Sequence, residues 1–181
     1  MRVLVYALSL AMPFMLSNST RRARAQKLPS CNRQAMTRHG NQITIGLEQL
    51  SNIFDRNLSA AHSPFSELQL TAEGGNKLKV SGKNNGTPVE ISGPLQVESG
   101  GAVKLHADKI EQNGNPEKAL MTLTGKSLAD YAHFQKTDPL SAQGNDLYIH
   151  VDPLLNVAAD VTAVSLDGSS ITLTFASQPC R

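Results

Sequence analysis

Two histidine–aspartate pairs hold the residue types most able to do chemistry in this chain: His106 and Asp108 in LHAD, and His150 and Asp152 in DLYIHVDP. Residues two apart on a strand project from one face, so each pair would set an imidazole beside a carboxylate. That is material for a metal site, or for a base and its orienting acid. The surrounding alternation places both pairs outside, because Val103, Leu105 and Ala107 form the apolar face of one strand and Leu147, Ile149 and Val151 that of the other. A metal would need three or four converging ligands with second-shell support, and sequence does not show that the two strands are neighbours. Asp152-Pro153 also suits the opening of a turn. No metal ligand and no cofactor is assigned.

Ser127 is the other chemically suggestive residue. TGKS at 124–127 ends like a phosphate-binding loop, yet Leu120 stands where that loop needs glycine, and no strand–loop–helix unit surrounds it. GKSLA echoes a nucleophile elbow with Ala129 in place of the second glycine. A helix cap explains Ser127 better, with Asp130 three residues on completing a capping box and a short second helix following in SLADYAHF. No catalytic residue is assigned; Ser127 with His133 is the pair a hydrolase would have to use.

The elements that must position these groups are strands. LQLTAE, KLKVSG, PVEISGPLQVES, AVKLHADKI, DLYIHV and SITLTF all alternate, with one apolar and one polar face each. Gly74-Gly75, Asn84-Asn85-Gly86, Gly100-Gly101 and Asp167-Gly168 can supply the positive φ angles of tight turns. Residues 113–118 and 135–145 read as loops. This is the pattern of an antiparallel meander, and strand–helix alternation is absent. One amphipathic helix precedes it in GLEQLSNIFDRNL, where Leu47, Leu50, Ile53, Phe54 and Leu58 share a face at helical spacing and should lie on the sheet's apolar side. The class is α+β, mainly β. The stripe reads as ordinary core, or as one wall of a binding space facing Ile171, Leu173 and Phe175.

The beginning of the chain is an export signal: Arg2, an apolar run from Val3 to Leu16, and ARA at 23–25 as a cleavage site. The run is short of the roughly 20 residues that span a bilayer. Arg21, Arg22 and Arg24 follow it, which hinders export and leaves an uncleaved anchor as the alternative. The expected organisation is a signal peptide at 1–25, an irregular segment at 26–41 and one domain at 42–181. Removing Arg2, Arg21, Arg22 and Arg24 leaves 13 of 17 basic residues against 15 acidic ones, so a formal charge of +2 becomes −2. With 4% aromatics and no Trp, the chain lacks the basic face and stacking rings that nucleic-acid binding requires. Cys31 and Cys180 lie near the two ends, and an oxidising compartment would join them in one disulfide, worth about 4–5 kcal/mol on the chain-entropy argument.

An export signal, an amphipathic helix, and a one-sided meander running through LKVSGKNNGTPVEISGPLQVESGGAVKLHADKI to NDLYIHVDPLLNVAADVTAVSLDGSSITLTF resemble the bacterial exported proteins related to the tubular lipid-binding (TULIP-like) superfamily. The resemblance covers most of the exported chain. It implies a strongly curved sheet wrapped on the helix, with a lipid or other apolar molecule in the groove between them. Lining by Leu47, Leu50, Ile53, Phe54, Leu58, Ile171, Leu173 and Phe175 would follow. The implied setting is the periplasm or the extracellular side, at or near a membrane surface. Some members of that family are linked to lipid hydrolysis, and no motif here accepts their catalytic residues. The remaining reading is a structural or protein-interaction domain with a filled core.

Overall fold

The structure, a computed structural model, describes residues 36–117, 125–131, 134 and 139–179. Residues 1–35 lie outside them, including the expected export signal and Cys31, and so do His133 and Cys180. The described chain is mainly β, with antiparallel pairing in every ladder.

The strands form two sheets where the sequence pattern suggested one meander. The first has four strands, in the order β1 (Met36–His39), β2 (Gln42–Gly46), β12 (Ser170–Phe175) and β11 (Val161–Asp167). It joins the two ends of the described chain, since Ile43 and Ile45 of β2 pair with Leu173 and Ile171. Met36–His39, expected to be irregular, becomes β1 because Gly40, at φ 59°, turns it back onto β2.

The second sheet runs β3 (Phe65–Gly74), β4 (Lys77–Asn84), β5 (Thr87–Val97), β6 (Val103–His106), β10 (Asp146–Ile149) and β9 (Leu140–Gln143). The farther half of β5 pairs instead with β7 (Lys109–Gln112), which folds back on β8 (Asn115–Pro116). Two stretches read as loops are thus paired: 140–143 is β9, and 115–116 is β8. The junction is Gly93. A Cβ there would lie 1.7 Å from the His106 carbonyl oxygen, so only glycine lets the chain step from β6 to β7 against a continuous β5.

The alternation holds in three dimensions. Leu70, Val80, Ile91 and Ile110 stand in register across β3, β4, β5 and β7. Leu95, Leu105, Leu147 and Ala142 do so across β5, β6, β10 and β9. Each proposed turn carries positive φ: Gly74 and Gly75, Asn85 and Gly86, Gly100 and Gly101, and Gly168, while Asn84 ends β4.

Helix α1 (Leu47–Ala60) follows β2 without a loop and packs its apolar face between the sheets. Its first amide, Leu47 N–H, donates to Ser169 O at 2.7 Å. It ends in a Schellman arrangement: Ser63 N–H reaches Leu58 O, His62 N–H reaches Ser59 O, and His62 takes the left-handed φ of 54°. Two short helices, α2 (Leu128–Tyr131) and α3 (Val151–Leu155), lie farther along. Val151 and Asp152 therefore belong to a helical turn, where the alternation had suggested the end of a strand. Proline is tolerated at the first turn of a helix, so Pro153 does not prevent it.

Candidate functional site

The eight residues expected to line a ligand space are interior. Leu47, Leu50, Ile53, Phe54, Leu58, Ile171, Leu173 and Phe175 are each no more than 5% exposed and belong to one continuous core. An acyl chain is wider than a water molecule, so a space able to hold one would leave its walls accessible. These side chains fill the volume between α1 and the sheets themselves.

An open groove of about 880 Å³ runs along the outer side of the α1–β3 contact. Helical spacing lines up Glu48, Asn52 and Asp55 along one wall. Strand β3 from Glu67 to Ala72 forms the other, and the Gly168-Ser169 turn closes one end. Its floor is formed by residues that are themselves buried, Leu47, Leu68 and Leu70 at 3%, 4% and 8% exposure, with half-buried Ala72 beside them; of the eight interior residues above, Leu47 alone lines it.

The shape of this groove depends on a β-bulge. Ser66 pairs with Lys83 and Gln69 with Ser81, so Glu67 and Leu68 together oppose Gly82. Glu67 takes a left-handed φ of 55°, and its carboxylate meets Lys83 Nζ at 2.8 Å. Gly82 gives the bulge room, since a Cβ there would lie 2.5 Å from Leu68 Cδ2 and 3.0 Å from Ser66 O. It also aims two edge amides at α1. Leu68 N–H donates to Asp55 Oδ1 at 2.8 Å, and Leu70 N–H donates to Ser51 Oγ at 3.0 Å. Ser51 Oγ in turn donates to Leu47 O at 2.8 Å. The helix thus covers a strand edge that would otherwise present unpaired amides. Sequence reading missed this groove; its signals were a serine inside the apolar stripe of α1 and a glycine inside β4.

The two His-x-Asp pairs are drawn apart. Strands β6 and β10 are neighbours, and His106 Nδ1 meets Asp146 Oδ1 at 2.6 Å, across the strands. Asp108 pairs with Lys77 at 3.2 Å. His150 lies just past the end of β10, four residues and about 13 Å beyond Asp146, and its Nε2 meets Ser141 Oγ at 2.8 Å. Beside His106, Lys104 Nζ donates to Glu98 and lies 3.8 Å from Asp146. The bond to Glu98 holds the Lys104 ammonium above its usual pKa, against desolvation, with the Glu98 and Asp146 charges adding to the rise. Among the described residues no three His, Cys, Asp or Glu side chains converge as metal ligands.

Ser141 and His150 are spaced like a nucleophile and its base, a spacing that cross-strand hydrogen bonds share. Ser127 is engaged as a cap: its amide and Oγ both donate to Asp130 Oδ2, at 2.7 and 2.8 Å. Among the described residues no helix is long and apolar enough to cross a membrane. Comparison with family models, with curated proteins and with solved structures finds no match to this chain.

Proposed function

We propose that the chain is an exported, non-catalytic binding protein for a lipid or a similar apolar molecule, related to the TULIP-like proteins and seating its ligand along α1. The observation that carries this is the groove between α1 and β3, whose floor is core and whose rim is polar. That combination suits a molecule with one apolar and one hydrated part.

Magnitudes favour the groove over the interior. Lifting α1 away would expose five large apolar side chains, at about 1.5–3 kcal/mol each, or roughly 7–15 kcal/mol. An acyl chain of about 14 methylenes taking their place returns about 11 kcal/mol at ~0.8 kcal/mol per methylene. The exchange is near balance, so a ligand gains more by covering the floor with α1 in place. Export carries with it a Cys31–Cys180 disulfide, read as the loss of two hydrogens in the intact mass.

The test is native mass spectrometry of the oxidised protein purified from a membrane-containing lysate, followed by organic extraction of bound material. A stoichiometric lipid supports the reading. A protein that is empty and refuses added lipid overturns it. The filled core favours a second reading, a protein-interaction domain, which that empty outcome would leave standing.

A further inference from the structure

We infer that the groove selects its ligand by charge, taking amphiphiles with cationic head groups and rejecting anionic ones; this rests on the binding reading above. The rim carries three carboxylates, Glu48, Asp55 and Glu67, against two nearby cations: Lys83 pairs with Glu67 at 2.8 Å, and Arg56 donates from Nε to Asn52 O at 3.2 Å on the helix wall, which leaves a net negative charge. Asp55 accepts the Leu68 N–H beside the floor. The amino end of α1 also opens on the groove, and a helix start by itself would favour an anion. Glu48, in the first turn, already answers that dipole with its own carboxylate.

A head group placed over Leu47, Leu68 and Leu70 therefore sits in a negative field. Glu48 and Glu67 are solvent-exposed, so this field acts through water and is screened by salt. Phosphate and sulfate heads are opposed there. Quaternary or primary ammonium heads are attracted, and uncharged heads are indifferent.

The experiment compares three twelve-carbon amphiphiles below their micellar concentrations: dodecyl maltoside, dodecyltrimethylammonium and dodecyl sulfate. Binding is followed by amide chemical shifts of residues 47–55 and 67–72. The expected result is that all three shift the groove amides, with the cation about tenfold tighter than the anion at low salt and the gap closing as salt rises. In a Glu48→Gln, Glu67→Gln variant the cation-to-anion ratio should fall below about threefold. Asp55 is left in place because β3 needs its oxygen. Equal affinity for cation and anion, with the maltoside still bound, overturns charge selection and leaves the groove as a binding site. No shift with any of the three overturns the binding reading and the selection together. A Glu48→Gln single variant provides the same readout without disturbing the Glu67–Lys83 pair.

Discussion

Asn76 Oδ1 accepts the backbone N–H of Leu166 at 3.0 Å, and this bond ties β11 of the four-stranded sheet to the turn between β3 and β4 of the other sheet. The same side chain donates from Nδ2 to Leu95 O at 3.0 Å, while Asn76 O accepts the Leu95 N–H at 3.0 Å. One residue, held at φ 59°, thus bridges both sheets.

Asn76→Ala should cost about 2–4 kcal/mol. It strands a part-buried amide, removes a second bond and places a Cβ-bearing residue of lower tolerance in the left-handed region. Asn76→Gly restores the backbone freedom alone, so the difference between the two variants isolates the conformational part. Urea unfolding midpoints at constant slope measure both. Equal costs would show that backbone strain adds nothing to the loss.

Ser51→Ala should cost about 1–3 kcal/mol, since it leaves the Leu70 amide without its acceptor in a buried position. The distinctive readout is hydrogen exchange. The Leu70 amide should lose protection by more than its neighbours at 69 and 71, which face β4 and keep their ladder partners. Uniform loss along β3 would point to general loosening of the strand.

Two glycines should differ sharply. Gly93→Ala drives a methyl group onto the His106 carbonyl oxygen, a backbone atom that cannot turn aside, and no folded protein is expected. Gly82→Ala meets first the tip of the Leu68 side chain, which can rotate, and should fold with a loss of about 1–3 kcal/mol. Soluble yield and thermal midpoint decide the matter, and a stable Gly93→Ala protein would refute the close approach described between β5 and β6.

Lys104 gives a prediction for alkaline solution. Its hydrogen bond to Glu98 raises its pKa above 10.5, so folding holds the proton more tightly than the unfolded chain does. A raised folded value stabilises fully below pH 10.5 and ceases to do so as pH climbs through the folded value. The wild type should therefore lose more thermal stability between pH 10 and 12 than Glu98→Gln, in which the bond to a carboxylate is gone. Every other lysine and tyrosine titrates in both proteins, so the difference between the two curves is the quantity to read. Superimposable curves would discount the pair.

Strand faces were legible because the period of two survives wherever a strand is regular: Leu78, Val80, Ile91, Leu95, Leu105, Leu147, Ile171 and Leu173 are all buried. Strand β11 escaped because a register shift between Val161 and Ala163 breaks its parity and puts Val161 and Val164, three apart, on the inner side. Strand β9 has only LSAQ to announce it and exists through its pairing with β10. The groove was illegible for a different reason. It needs α1 to meet β3 across a bulge, and nothing local in either segment fixes that meeting. The same holds for His106, whose partner Asp146 lies 40 residues away.

The pairing of β2 with β12 also dictates when this domain can fold. A chain appearing amino end first, from a ribosome or through a translocation pore, presents Ile43 and Ile45 long before Ile171 and Leu173 exist outside to receive them. The helix that follows β2 likewise waits for Ser169 to take its first amide. The four-stranded sheet can close only after the last strand has emerged, so the order of synthesis itself keeps this part of the molecule threadable to the end.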